Sequence, residues 1–133
     1  MKSFLNHLQI NIDLKNIGFY KNLMTFLGWK KVLDEPTMAG FSDGSESSVW
    51  FMQKKKNINN DYDGTGVNHI GIGVSAVADV DHAADYLKKN GITLLFGTPK
   101  LRPEFSGPKG TYYQVMFESP DRILFEIVYS GEK

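Results

Sequence analysis

The sequence predicts an α+β fold built from two tandem βαββ modules, and three observations carry that prediction. Residues 6–12, NHLQINI, and residues 68–74, NHIGIGV, open alike: Asn-His, then an aliphatic residue at every second position. Each stretch is followed by an apolar stripe at helical spacing and then by three extended segments. The interval from histidine to helix-ending glycine is also nearly constant, 21 positions from His7 to Gly28 and 22 from His69 to Gly91. Shared order, spacing and caps describe one structural unit used twice.

The elements follow in order. Residues 5–12 alternate, with Leu8, Ile10 and Ile12 on one side and His7, Gln9 and Asn11 on the other, the pattern of a half-buried strand. Over residues 14–27 the period changes: Leu14, Ile17, Tyr20, Met24 and Leu27 recur at helical spacing, with Phe19, Leu23 and Phe26 widening the stripe. Gly28 ends this helix. Strands are predicted at 30–34, 38–42 and 48–53, separated by the turn residues Glu35-Pro36-Thr37 and Asp43-Gly44-Ser45. Residues 54–66 are polar and read as a linker or mobile loop. In the second half, residues 67–74 alternate, and Val80, Ala83, Ala84 and Leu87 mark a helix over 77–90, ended by Asn90-Gly91. Strands follow at 92–96, 111–118 and 123–129. Residues 99–110, with Arg102, Pro103, Glu104 and Gly107, form a long irregular insertion of the kind that often carries function. The expected organisation is a first module over 1–56, a linker over 57–66 and a second module over 67–133, together one structural domain.

Composition narrows the function. Hydrophobic residues are 41% and charged residues 23% of a 133-residue chain, ordinary values for a globular domain. Fifteen basic residues balance fifteen acidic ones, which argues against nucleic acid or another polyanion as partner. The run Lys54-Lys55-Lys56 reads as a solvated loop. No apolar run is long enough to span a membrane, and the opening residues lack the core and cleavage site of a signal peptide, so a cytoplasmic location is expected. Cysteine is absent, so any metal must be held by histidine and carboxylate.

The polar sides of the two repeated strands carry the chemistry. One holds His7, Gln9 and Asn11; the other holds His69, Gly71 and Gly73, whose glycines clear space beside the imidazole. In Ile123–Tyr129 the sole charge among six apolar residues is Glu126. An ionised carboxylate there needs a partner, and a cation near His7 and His69 supplies one. Two histidines and one carboxylate form a recognised set for Zn²⁺, Ni²⁺, Mn²⁺ or Fe²⁺ with positions left open for substrate. Tyr112, Gln114 and Met116 share one side of their strand and, with Trp50, are expected to line a cavity. Arg102 and Glu104 from the insertion are expected to reach a polar or anionic substrate. His82 falls in the polar stretch of a helix and reads as exposed.

These stretches (NHLQINI, IGFYKNLMTFLGW, NHIGIGV and FESPDRILFEIV) resemble the vicinal oxygen chelate superfamily of glyoxalases, bleomycin- and fosfomycin-resistance proteins and extradiol dioxygenases. The resemblance spans nearly the whole chain. It implies a curled mixed sheet around an open cavity, a homodimer, and metal ligands at His7, His69 and Glu126, with Glu126 also placed to act as general base. It points to a lyase- or isomerase-type metalloenzyme that chelates a small substrate through neighbouring oxygens. The alternatives are a metal-free binder of the bleomycin-resistance type and an extradiol-type dioxygenase. The chain departs from the family pattern in places. Its first strand meets the helix about two residues early, and Ser119 and Arg122 stand where Asp and Gly are usual. The strand Ser48–Gln53 has no carboxylate inside it to serve as the fourth ligand, Glu or Gln, that glyoxalase I enzymes usually supply, and Gln53 at its end is the one candidate. Gln9 stands where fosfomycin-resistance enzymes carry Thr.

Overall fold

A computed structural model describes residues 1–108 and 110–132. Lys109 in the expected insertion and Lys133 at the end of the expected second module lie outside the described residues. The chain divides into two compact units, Met1–Asn59 and Asn60–Lys133.

In the first unit, β1 (His7–Ile12) leads through a 3-10 turn (Leu14–Asn16) into α1 (Ile17–Phe26), followed by β2 (Lys30–Asp34), β3 (Met38–Ser42) and β4 (Ser48–Gln53). The sheet order is β1-β4-β3-β2, with β1 parallel to β4 and the other pairs antiparallel. The apolar side of the alternating strands must leave water, and Ile12, Ala39, Phe41, Val49 and Phe51 are buried together with Tyr20, Leu23 and Met24 of α1. Each of the larger aliphatic and aromatic side chains among them contributes roughly 1.5–3 kcal/mol of transfer free energy. Tyr20 stacks on Phe51 at 4.7 Å between ring centroids, and Phe41 meets Phe51 edge-on at 6.3 Å. On the other side His7, Gln9 and Asn11 stand level with Ser48, Trp50 and Met52. The Trp50 indole lies across Gly40, where an added Cβ would come within 2.5 Å of the ring.

The second unit repeats the plan: β5 (Ile70–Gly73), α2 (Val77–Lys89), β6 (Leu94–Leu101), a 3-10 turn (Pro103–Phe105), β7 (Gly110–Glu118) and β8 (Leu124–Glu132). Its order is β5-β8-β7-β6, again with the first strand parallel to the last. Helix α2 packs on β6, β7 and β8 through the expected stripe of Val80, Ala83, Ala84 and Leu87. Both helices end in the same motif. Gly28 N–H bonds the Thr25 carbonyl and Trp29 N–H that of Met24; Gly91 N–H bonds that of Lys88 and Ile92 N–H that of Leu87. The glycines adopt φ of 86° and 74°, left-handed values that other residues take only at a cost. The α+β class and the duplicated module stand as the sequence predicts.

Two boundaries differ from expectation. The insertion was expected from residue 99, yet β6 runs to Leu101. The register breaks between Leu95 and Lys100, after which Lys100 pairs Gln114 and Leu101 pairs Tyr113. Phe96 and Gly97 take left-handed conformations in the bulge. The Thr98 hydroxyl closes it, donating to the Leu95 carbonyl at 2.7 Å and accepting from Met116 N–H at 2.9 Å. A Phe-Gly-Thr-Pro run reads as the end of a strand; here it is an interruption. The second difference concerns the polar segment after residue 56. From Asn60 onward it is tied to the second unit, with Asn60 Nδ2 donating to the Arg122 carbonyl at 2.9 Å and the Tyr62 hydroxyl donating to Glu118. In the turn that receives it, Ser119 Oγ accepts from Asp121 and Ile123 N–H, and Arg122 sits at φ 57°. Among the described residues, no helix is long and apolar enough to cross a membrane.

Candidate metal and substrate site

Register brings the second unit's candidate side chains to one face. Gly71 of β5 pairs Glu126 of β8, which pairs Met116 of β7. Side chains alternate along a strand, so Tyr112 and Gln114 rise on the Glu126 face, and His69 precedes β5 on the same side. A Cβ added at Gly71 or Gly73 would meet nothing within 4 Å, so the space beside His69 is open, as the sequence implies.

Glu126 is 3% exposed, and both its oxygens are engaged. Oε1 accepts from the Tyr112 hydroxyl, and Oε2 stands 3.0 Å from His69 Nε2. The other ring nitrogen, Nδ1, is 2.8 Å from Asn68 Oδ1. The Asn68 amide nitrogen in turn donates to the Tyr62 carbonyl at 3.0 Å. Burial above all, and then the bond to Glu126, push the Tyr112 hydroxyl up to about 12, so it holds its proton and serves as a donor at neutral pH.

Arg102 sits beside this group. Its Nη1 donates to Gln114 Oε1 at 2.9 Å and its Nε to Glu104 Oε1 at 2.6 Å. The guanidinium carbon lies 4.7 Å from the Phe105 ring centre, and Phe105 meets Tyr112 edge-on at 5.5 Å. The bond to Arg102 holds the Glu104 carboxyl below the usual range. Gln114 is only 2% exposed, so its oxygen has a charged donor where water does not reach.

Six of the residues singled out from the sequence thus join one run of contacts: His69, Glu126, Tyr112, Gln114, Arg102 and Glu104. His7 and Trp50 belong to the first unit. There His7 is exposed, with Nδ1 2.7 Å from Asn6 Oδ1, and Trp50 Nε1 donates to Ser48 Oγ at 2.9 Å. His82 is exposed, as expected. Among the described residues, no three His, Asp or Glu side chains gather as a metal-holding group. Asn68 and Asn6 each lie against an imidazole and Phe105 lies between Arg102 and Tyr112, contacts that the sequence does not predict. The Asn-His repeat was the available signal for the asparagines, and a lone aromatic in the insertion was the signal for Phe105.

The His69–Glu126 spacing is that of a direct imidazole–carboxylate contact and is also compatible with a shared divalent cation. Both ring nitrogens face oxygen atoms, a geometry that a cation shared with the carboxylate would suit. Two donors about 2.1 Å from one ion and at right angles stand about 3.0 Å apart, the spacing seen here.

The family model described as the glyoxalase/bleomycin resistance protein/dioxygenase superfamily matches residues 5–127. Among solved structures, a candidate glyoxalase from Bacillus halodurans is 27% identical, with a TM-score of 0.80 over 96% of both chains. A glyoxalase/dioxygenase from Nostoc punctiforme is 18% identical, with a TM-score of 0.69 over 97% of this chain and 92% of its own. The fosfomycin resistance protein FosX of Listeria monocytogenes, solved with Mn(II) and sulfate, is 20% identical, with a TM-score of 0.65 over 96% of this chain and 90% of its own. No curated protein matches the chain.

Proposed function

The chain belongs to the glyoxalase/bleomycin resistance protein/dioxygenase superfamily, and from that premise we propose that it is a metal-dependent, glyoxalase-like enzyme acting on a small molecule with neighbouring oxygens. One observation carries the reading: a buried carboxylate and an imidazole meet at 3.0 Å while the far ring nitrogen faces a further acceptor. Mn(II) in the FosX structure supports the same chemistry. His69 and Glu126 would hold the ion, with His7 as third ligand. His7 is supported by its equivalent place at the start of the first module and by the same asparagine on its Nδ1.

A divalent ion held there would supply Lewis-acid polarisation of the substrate's neighbouring oxygens. The chain's own residues do the rest. Tyr112 keeps one Glu126 oxygen hydrogen-bonded, leaving the other to face His69. That oxygen would accept a substrate proton as general base. Gln114 holds Arg102, and Trp50 offers an aromatic face for substrate. By resemblance the enzyme would act as a homodimer, and its composition suits a cytoplasmic location. Protein purified without chelator or a His-tag should carry a stoichiometric first-row divalent metal on elemental analysis, or take one up on titration. Metal absent in both experiments would overturn the reading in favour of a metal-free binder.

Arg102 and Glu104 are proposed to meet a polar or anionic group of the substrate, exchanging their mutual bond for it. Charged hydrogen bonds contribute about 1.5–3 kcal/mol, so Arg102→Ala with Glu104→Ala should weaken substrate binding roughly 10- to 100-fold. Metal uptake should be unchanged. Unaltered KM and kcat would reduce residues 102–110 to a connector.

A further inference from the structure

We infer that Asn68 is a positioning residue: anchored on the Tyr62 carbonyl, it keeps the proton on Nδ1 of His69 and turns Nε2 toward Glu126. The argument follows from which atoms can donate. The Asn68 amide nitrogen donates to the Tyr62 carbonyl at 3.0 Å, so the atom left facing His69 is Oδ1, which only accepts. At 2.8 Å from that oxygen, Nδ1 must supply the proton. A ring so held presents Nε2 on the side of Glu126 Oε2.

The anchor is itself fixed. The Tyr62 hydroxyl donates to Glu118 at the end of β7, and Asn60 Nδ2 donates to the Arg122 carbonyl in the turn before β8. These are the two strands that carry Tyr112 and Glu126. The segment before His69 is therefore referenced to the carboxylate it must meet, through a closed circuit from β8 by way of the turn, Tyr62 and Asn68 to His69. Asn6 on His7 Nδ1, at 2.7 Å, repeats the contact in the first unit. A partner that fixes the far ring nitrogen typically governs metal affinity 10- to 100-fold. That consequence rests on the proposed metal site; the proton's position does not.

The test separates the two. In metal-free protein labelled with ¹⁵N-histidine, long-range ¹H–¹⁵N correlation reads which ring nitrogens carry protons. Nδ1 of His69 should be pyrrole-like in the wild type, and should shift toward pyridine-like in Asn68→Ala. Asn68→Asp, which keeps an acceptor oxygen, should restore the wild-type pattern, a rescue that a merely structural role would not produce. Asn68 is exposed, so neither change disturbs the core. Zn²⁺ affinity by calorimetry should fall about 10- to 100-fold in Asn68→Ala and recover in Asn68→Asp. A pyridine-like Nδ1 in the wild type, or a pyrrole-like Nδ1 unchanged in Asn68→Ala, overturns the inference. If the nitrogen pattern follows it while the wild type binds no Zn²⁺, the positioning role stands and the metal reading alone fails.

Discussion

Phe117→Ala should cost about 3–5 kcal/mol of folding stability. Phe117 is fully buried on the side of β7 covered by α2, and its ring stacks on Phe125 at 5.5 Å with an 8° angle between planes. Truncation removes that stacking and the transfer free energy of a whole ring, and leaves a void that a sheet strand is poorly able to close. Phe105 provides the contrast. It is 57% exposed and touches Arg102 and Tyr112 at the surface, so Phe105→Ala should cost only about 0.5–1.5 kcal/mol. Urea unfolding followed by circular dichroism measures both. Equal costs would mean that the α2-facing side of the second sheet is not the core.

That side was readable from sequence because burial writes a period into the chain. Val80, Ala83, Ala84 and Leu87 repeat at helical spacing, and Val115 and Phe117 alternate with the polar side of their strand. The helix ends were readable too, since the left-handed residue after each helix falls on Gly28 and Gly91. What escaped was non-periodic. The bulge at Phe96–Pro99 interrupts β6 without ending it, as the bond from Met116 N–H to the Thr98 hydroxyl and the pairing resumed at Lys100 and Leu101 show. The segment after Asn60 has the composition of a linker, yet Asn60 and Tyr62 bond to residues about sixty positions away. No local pattern encodes that.

The site shows the same division. Glu126 stood out because a lone charge in an apolar strand is costly unless paired, and its two oxygens do find Tyr112 and His69. Gly71 and Gly73 foretold open space by lacking side chains. Arg102 stood out as a candidate substrate contact, but its hold on buried Gln114 depends on the register of β6 after the bulge. The Asn-His repeat was visible and its meaning was not, because the asparagine's role rests on which way its amide is turned by Tyr62.

Glu126→Gln should abolish most of any metal-dependent stabilisation while leaving the fold intact. The amide fills the same volume. Its oxygen still accepts from Tyr112, and its nitrogen faces His69 Nε2, to which it donates in place of sharing an ion. In the absence of metal the variant loses a buried charge, so its melting temperature should equal or exceed that of the wild type. With metal the order reverses. At a free-ion concentration 100 times Kd, binding stabilises the wild type by about 2.7 kcal/mol. A ligand that loses its carboxylate charge weakens affinity by at least the roughly 100-fold upper range seen for outer partners, and the same ion concentration then stabilises the variant by only about 0.4 kcal/mol. At roughly 4 °C per kcal/mol for a chain of this size, the midpoint should rise by about 10 °C in the wild type and about 2 °C in the variant. Melting curves with and without Ni²⁺, Zn²⁺, Mn²⁺ or Fe²⁺ read both numbers. Equal rises in the two proteins would remove Glu126 from the ligand set. A wild type freed of metal that gains nothing from any of the four ions would leave Glu126 a buried acid paired with Tyr112 and His69, and the protein a binder.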